Sequence, residues 1–146
     1  MIREIATGEN NPVLRQKAAK VREITPEIKE LVLDMVETMM AGNGIGLAAI
    51  QVGQPFRVIV ARLDPAGKAI ALINPEIRKK SFWKETAEEG CLSLPGVCAP
   101  VKRAKKITVD GLNVKGEQIR LKLSGLWAKV IQHEIEHCDG ILISDK

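Results

Sequence analysis

The chain has 146 residues, of which 45% are apolar and 27% charged, with 12 Gly and 7 Pro. This size and composition exclude a disordered, collagenous or coiled-coil protein and predict a single domain over residues 1–146. Lys and Arg exceed Asp and Glu by 22 to 18. No apolar run is long enough to span a bilayer, and Arg3 and Glu4 stand where a signal peptide would be apolar, so we expect a cytoplasmic protein that binds no membrane.

Two helices are predicted near the start of the chain. Asn11 and the proline after it favour a short helix that we expect to run to about Val21. Thr25 is a good cap for a second helix, whose apolar residues recur at spacings of three and four until Gly42 ends it. The second helix should therefore bury one face in the core.

The middle of the chain is predicted to form antiparallel strands. Short apolar runs at 57–61 and 69–73, and alternating residues at 106–109 and 118–123, indicate strands. Turn signals at 64–67 and 114–117 join neighbouring strands into hairpins. A last helix is expected after Gly125, running to about Cys138. Helices at both ends of a set of antiparallel strands define an α+β fold.

Basic residues cluster at 78–80 and at 102–106. Neither run is interleaved with the aromatic residues that base stacking requires, so we interpret both as solvated loops and strand faces and expect no DNA binding. The alternative is a loose attraction to a polyanion such as ribosomal RNA. Three cysteines are an odd number, which favours free thiols or a metal ligand in a reducing compartment.

Both histidines of the chain lie in the segment His133-Glu134-Ile135-Glu136-His137. Residues four apart share one face of a helix, so the two imidazoles can bind one metal while Glu134 reaches a water molecule on it. Two solvated histidines are the alternative. We disfavour it because the only two histidines stand at ligand spacing.

A catalytic metal needs a third protein ligand, and we expect it upstream of the last helix. Ile143 occupies the position where a metzincin would have its third histidine, and Cys138 must face away from its neighbour His137. Cys91, in a segment that we expect to be a loop, is the preferred candidate because a thiolate completes a Cys-His-His set. Taken alone, a single cysteine is more often a small buried apolar residue.

The segment Gly44 to Gln51 contains a Gly-x-Gly-x-x-Ala pattern. It follows a helix, whereas a dinucleotide-binding fingerprint follows a strand, so phosphate binding is not expected. The glycines would let a substrate backbone approach closely, and the Gln51 amide can donate to an oxyanion. Standing alone, the segment would be interpreted as a structural turn with a solvated glutamine.

These three segments together resemble the peptide deformylase family, metallohydrolases that remove the N-terminal formyl group from nascent chains. The family signature Gly-x-Gly-Leu-Ala-Ala-x-Gln is matched in full by Gly44 to Gln51, and Glu-Gly-Cys-Leu-Ser is matched in full by Glu89 to Ser93. The third signature, Gln-His-Glu-x-Asp-His, is matched by Gln132 to His137 except at Glu136.

The resemblance implies a role for each matching residue. It makes Cys91, His133 and His137 the metal ligands, Gln51 and the Leu92 N–H the oxyanion donors, and main-chain groups of Ile45, Gly46 and Gly90 the substrate contacts. A water on the metal attacks the formyl carbon of formyl-methionine, and Glu134 acts as general base and then as general acid. The cofactor implied is one divalent metal, Fe²⁺ first, with Zn²⁺, Ni²⁺ or Co²⁺ able to occupy the site.

The sequence departs from the family pattern in three places. Glu136 replaces an aspartate, and we expect it to pair with Arg103, which matches a family arginine, and so to orient the metal-binding helix. Lys129 replaces an apolar residue, and we expect its aliphatic stem to line the pocket for the formyl-methionine side chain while its charge lies at the rim. The alternative is that Lys129 points away from the pocket on a solvated edge of the helix. Many bacterial members continue past the position of Lys146 into a C-terminal helix. We therefore expect at most weak ribosome association. The protein itself is expected to be a monomer.

Two other functions share some of these features. A small zinc peptidase would have the same two-histidine helix but would cleave internal amides, so formylated and internal-amide peptides distinguish the two. A non-catalytic metal-binding or interaction protein would keep the ligands and lose the base. The presence of Glu134 and Gln51 argues against it.

Overall fold

The structure is a computed structural model that describes residues 1–62, 64 and 67–146. Within these residues the helices are α1 (Pro26–Ala41) and α2 (Gly125–Cys138), and the strands are β1 (Gly46–Ala48), β2 (Val58–Ala61), β3 (Ile70–Lys80), β4 (Lys84–Cys91), β5 (Leu94–Ala104), β6 (Lys106–Leu112) and β7 (Gln118–Ser124). Short 3₁₀ turns lie at Pro12–Arg15, Ala49–Val52 and Ile143–Asp145. The predicted α+β fold is confirmed. None of the described helices has the length and apolar character needed to cross a bilayer.

Helix α1 forms where the sequence predicts it. The Thr25 side chain accepts a hydrogen bond from the Ile28 N–H at 3.3 Å, and the helix ends at Gly42. The prediction for the first helix is wrong beyond Arg15, because the chain turns extended at Gln16. From there its main chain bonds to a distant segment, with the Arg57 N–H donating to the Ala19 carbonyl at 2.9 Å. Tertiary hydrogen bonds thus override a local helical preference.

The strands form two antiparallel sheets. Five strands lie in the order β1-β2-β3-β6-β7, and β4 pairs with β5 alone. The predicted turn at 114–117 is confirmed, with the Asn113 side chain accepting from the Lys115 and Glu117 N–H groups. Part of the predicted turn at 64–67 lies outside the described residues. Three strands, β1, β4 and β5, are not predicted from the sequence, and β3 extends to Lys80.

Strand β2 lies between the two helices, which cover opposite faces of the five-stranded sheet. Val58 and Val60 belong to the apolar cluster that contains α1, whereas Ile59 and Ala61 belong to the cluster that contains α2. Successive strand residues point to opposite faces, so a strand covered on both sides is apolar throughout. This packing holds α2 against the sheet beside its β1 edge.

Candidate metal centre

The two histidines of α2 face the protein interior. His133 and His137 are 9% and 1% exposed, so the alternative of two solvated histidines is wrong. Their Nε2 atoms face each other at 3.1 Å. Burial lowers the pKa of His137 to about 3, which leaves its Nε2 lone pair available as a ligand.

Cys91 completes the group. It is the last residue of β4, not part of a loop as predicted, and its Sγ lies 3.4 Å from the His137 Nε2. The ligand atoms of Cys91, His133 and His137 all lie within 4.8 Å of one another. Cys138 faces elsewhere, with its thiol directed at the Glu134 carbonyl at 3.7 Å. The structure thus brings together the three residues predicted as ligands.

The spacing of these atoms suits a tetrahedral metal. Bonds of about 2.1 Å to nitrogen and 2.3 Å to sulfur would place two nitrogen ligands about 3.4 Å apart and nitrogen and sulfur about 3.6 Å apart. The observed separations are 3.1 Å between the two Nε2 atoms and 3.4 Å between Nε2 and Sγ. One thiolate and two imidazoles also form a donor set that Zn²⁺ and Fe²⁺ accept. The residues present therefore fit a divalent metal.

Glu134 lies beside the three candidate ligands and is buried. Its Oε2 is 3.9 Å from the His133 Nε2, and its Oε1 has no hydrogen-bond partner among the residues that the structure describes. Burial disfavours the carboxylate and raises the pKa of Glu134 to about 7. A carboxyl group with a pKa near neutrality can both accept and release a proton at physiological pH.

Glu89 holds the His133 ring, a role that sequence reasoning missed. Its Oε1 accepts from the His133 Nδ1 at 2.9 Å, and its two oxygens accept from Arg103 at 2.7 and 3.0 Å. Burial would raise the pKa of Glu89, but the hydrogen bonds from His133 and Arg103 outweigh it and lower that pKa to about 2. Alternation along a strand places Glu89 on the same side as Cys91, which was the available signal.

The predicted ion pair between Glu136 and Arg103 is confirmed. The Arg103 guanidinium donates to the Glu136 Oε1 at 2.7 Å while it also holds Glu89. Arg103 comes from β5 and is 4% exposed. A single buried guanidinium therefore joins the β4–β5 sheet to α2.

Gln51 is buried, which rules out a solvated turn. Its Oε1 accepts from the Ala48 N–H at 2.9 Å, and this fixes the amide so that its Nε2 faces the site. The Nε2 donates to the Ser93 Oγ at 2.9 Å and lies 3.7 Å from the Cys91 Sγ. Sequence reasoning assigned no role to Ser93, although it lies within a matched signature.

A cavity of about 470 Å³ opens onto this site. Its walls include the predicted residues Ile45, Gly46, Gly90, Leu92 and Lys129, besides Gln51, Cys91, His133 and Glu134. Lys129 thus faces the cavity, so the alternative in which it points away is wrong. Its ammonium lies 3.5 Å from the Glu85 carboxylate of β4, a partner that the sequence did not indicate.

The exposed edge of β1 borders the cavity. The Ile45 carbonyl accepts from the Arg62 N–H at 2.8 Å, on the side of β2, and Gly46 is registered with Ala61. Neighbouring residues in a strand direct their main-chain groups to opposite sides, so those of Gly46 face the open edge. The main-chain groups of Gly46 are therefore open to an extended ligand, whereas the Ile45 carbonyl is already bonded to β2.

An α+β fold with a His-Glu-x-x-His helix and a cysteine from a neighbouring strand is typical of metal-dependent hydrolases. The sequence model described as polypeptide deformylase matches residues 2–146. The chain belongs to the peptide deformylase family, and it is an enzyme.

Individual relatives agree with this assignment. The chain is similar to a peptide deformylase of Dictyoglomus thermophilum, with 48% identity over 146 residues that cover 100% of this chain and 93% of the relative. The crystal structure of peptide deformylase from Thermotoga maritima has a TM-score of 0.94 at 39% identity, covering 100% of this chain and 97% of that one. A Met-Ala-Ser-bound peptide deformylase from Acinetobacter baumannii has a TM-score of 0.94 at 32% identity, covering 100% of this chain and 99% of that one.

Proposed function

We propose that the chain is a single catalytic domain that removes the formyl group from the N-terminal formyl-methionine of nascent polypeptides in the cytoplasm. The observation that carries this proposal is the position of Glu134 beside the Cys91, His133 and His137 cluster on the wall of one cavity. The Met-Ala-Ser peptide in the Acinetobacter relative supports it, because that peptide has the sequence of a deformylated N-terminus.

Cys91, His133 and His137 would hold one divalent metal, Fe²⁺ first, with Zn²⁺, Ni²⁺ or Co²⁺ as alternatives. When bound, the metal supplies Lewis acidity to the formyl group and to water. Glu89 keeps the His133 Nδ1 engaged at 2.9 Å, which leaves the His133 Nε2 to face the metal. Neutral imidazoles and a thiolate are the protonation states that a metal requires.

Glu134 would move the protons. It accepts a proton from the attacking water and delivers it to the departing amine, which a group with a pKa of about 7 can do in both directions. Its Oε1, which has no hydrogen-bond partner in the described part of the chain, is the atom that would take that proton.

Gln51 and the Leu92 N–H would stabilise the developing oxyanion. The Gln51 Nε2 carries two hydrogens: Ser93 takes one, and the other is directed at the Cys91 Sγ at 3.7 Å, a long contact that the substrate oxygen would replace. The main chains of Gly46 and Gly90, at the facing edges of two sheets, would bind the peptide as an added strand. Ile45, which also lines the cavity, would contact the same peptide.

The test combines metal analysis with an activity assay. Protein purified without oxygen should contain one metal per chain and should hydrolyse formyl-Met peptides but not acetyl-Met peptides or internal amides. Hydrolysis of internal amides would instead indicate a peptidase. A metal-loaded protein with no activity on any of these substrates would contradict the proposal.

A further inference from the structure

Two aromatic side chains are exposed at the turn between β3 and β4. Phe82 and Trp83 are 88% and 72% exposed, and their rings meet edge to face with centroids 5.6 Å apart. They belong to neither of the apolar clusters that pack α1 and α2. Adjacent aromatic rings left in water are typical of an interaction site rather than of a folding core.

Five lysines surround this pair of rings. Lys79, Lys80 and Lys84 flank it in the sequence, and Lys105 and Lys106 are brought to it by the fold. The Lys105 N–H donates to the Trp83 carbonyl at 3.1 Å, and the Ser81 N–H donates to the Lys106 carbonyl at 2.9 Å. All five lysines are exposed, and no ion pair joins them to a carboxylate within the part of the chain that the structure describes. We call Lys79 to Lys84 with Lys105 and Lys106 the basic aromatic tip.

The lysines of the two basic runs are exposed, as the interpretation of solvated strand faces expects, whereas Arg103 of the second run is buried. Each run lacks aromatic residues between its own members, which is why the sequence alone does not indicate base stacking. The register pairs Lys80 with Ile107 and Lys84 with Ala104, so the two runs meet around Phe82 and Trp83. The combination of charge and rings exists in the fold and not in either run alone.

We propose that the basic aromatic tip binds single-stranded RNA. Lysines without carboxylate partners attract a phosphate backbone, and exposed aromatic faces stack with unpaired bases of any sequence. The tip has both features and requires no base-specific contact. It lies about 13 Å from the cavity wall, because Trp83, just before β4, precedes the cavity residue Ala87 by four positions of extended chain.

An anionic membrane is the competing partner, and the apolar surface argues against it. Phe82 and Trp83 are the only large apolar side chains that are exposed within residues 79–84 and 105–106. Membrane-surface segments present a broad apolar face that enters the acyl boundary. Two rings among five ammonium groups supply charge and stacking area but little area for insertion.

The test measures binding of a labelled oligouridylate of about twelve nucleotides by fluorescence anisotropy. Trp83→Ala should weaken binding at least about 5-fold, since stacking contributes roughly 1–3 kcal/mol per base. Lys105→Gln with Lys106→Gln should reduce the slope of log K against log salt by about 1.4, which corresponds to two phosphate contacts on a single strand. Matched controls are Leu33→Ala, an exposed apolar residue of α1, and Lys17→Gln with Lys20→Gln, exposed lysines far from the tip in sequence.

Two further binding measurements use an RNA duplex of equal length and vesicles of phosphatidylglycerol. Weaker binding of the duplex than of the single strand supports stacking, whereas equal binding overturns it. Binding to vesicles without binding to oligouridylate identifies a membrane surface and overturns the proposal. The proposal is also overturned if the tip variants and the control variants weaken oligouridylate binding equally. Hydrolysis of a short formyl-Met peptide should be unchanged in Trp83→Ala, so loss of RNA binding is distinguishable from loss of the proposed activity.

Discussion

Gly46 lies directly against the carboxyl group of Glu134. A Cβ atom added to Gly46 would be 2.5 Å from the Glu134 Oε2 and 3.0 Å from its Cδ. Contacts this short require a side chain or the backbone to move, because packed atoms do not overlap. A glycine at this position is therefore needed to leave room for the Glu134 carboxylate. This requirement is separate from any contact that Gly46 makes with a ligand.

Gly46→Ala should displace Glu134 and reduce kcat by at least about 10-fold, since misplacing a catalytic group by a fraction of an ångström is costly. Bound metal should be unchanged, because the three atoms nearest the added methyl group all belong to Glu134, which is not a candidate ligand. In a Glu134→Gln background the same substitution should cost nothing further in kcat. Additive losses would mean that Gly46 acts independently of Glu134.

Glu134→Gln should retain the metal and lose turnover by more than the roughly 10²- to 10⁴-fold typical of acid-base catalysis, because one residue transfers a proton twice. The substitution keeps the shape of the buried side chain. Metal content and kcat measured on the same preparation check the prediction. A near-normal kcat would exclude Glu134 as the base.

Cys91→Ala should greatly reduce bound metal because it removes one of three ligand atoms. Cys98→Ala provides the matched control, since Cys98 is exposed on β5 and its thiol is not among the grouped ligand atoms. Metal per chain is measured for both variants after the same purification. Full occupancy and activity in Cys91→Ala would show that the ligand assignment is wrong.

Glu89 should make the metal-free protein sensitive to acid. Its folded pKa of about 2 lies below the usual 4.5, so its stabilising effect is complete above about pH 4.5 and is lost as the pH falls toward 2. A shift of this size corresponds to at most about 3 kcal/mol. Urea unfolding of the parent and of Glu89→Gln should therefore give free energies that differ at pH 7 and converge at acid pH. A difference independent of pH would contradict the assignment.

Lys129 and Glu85 should have opposite effects on the preference for the charge of the residue that follows methionine in the substrate. Their charges lie 3.5 Å apart, so each largely neutralises the other. Glu85→Gln releases the ammonium and should favour formyl-Met-Asp over formyl-Met-Lys, and Lys129→Ile should do the reverse. Each change in the ratio of kcat/KM should be about 5-fold or less, because partly solvated charges couple by about 1 kcal/mol at most. Shifts in the same direction would exclude a role for this pair.

The helices could be predicted because local signals coincide there with the tertiary structure. Thr25 caps α1, and the histidine spacing of α2 requires one helical face. Strands β4 and β5 could not be predicted in the same way. Along β4 only Ala87, Glu89 and Cys91 are even partly buried, so the strand lacks the apolar alternation that a core-facing strand shows. Pairing with β5 and the contacts of Glu89 and Glu85 with α2 hold it in place.

The site could be predicted where a single residue type carries the chemistry, and one pair, Glu136 with Arg103, could be predicted from the family resemblance. Cys91 and the two histidines are recognisable as ligand types from the sequence alone. The partners Ser93 and Glu85 are not, because a serine or a glutamate in a sequence does not reveal which side chain it will meet.

The candidate ligands come from two elements that only folding brings together, Cys91 from β4 and both histidines from α2. A metal held by all three atoms binds the native chain and not the unfolded one, so its binding free energy adds to that of folding. Each tenfold rise of free metal above its dissociation constant then adds about 1.4 kcal/mol to stability. The supply of metal in the cell would thus set how long a folded copy survives proteolysis, as well as how fast it works.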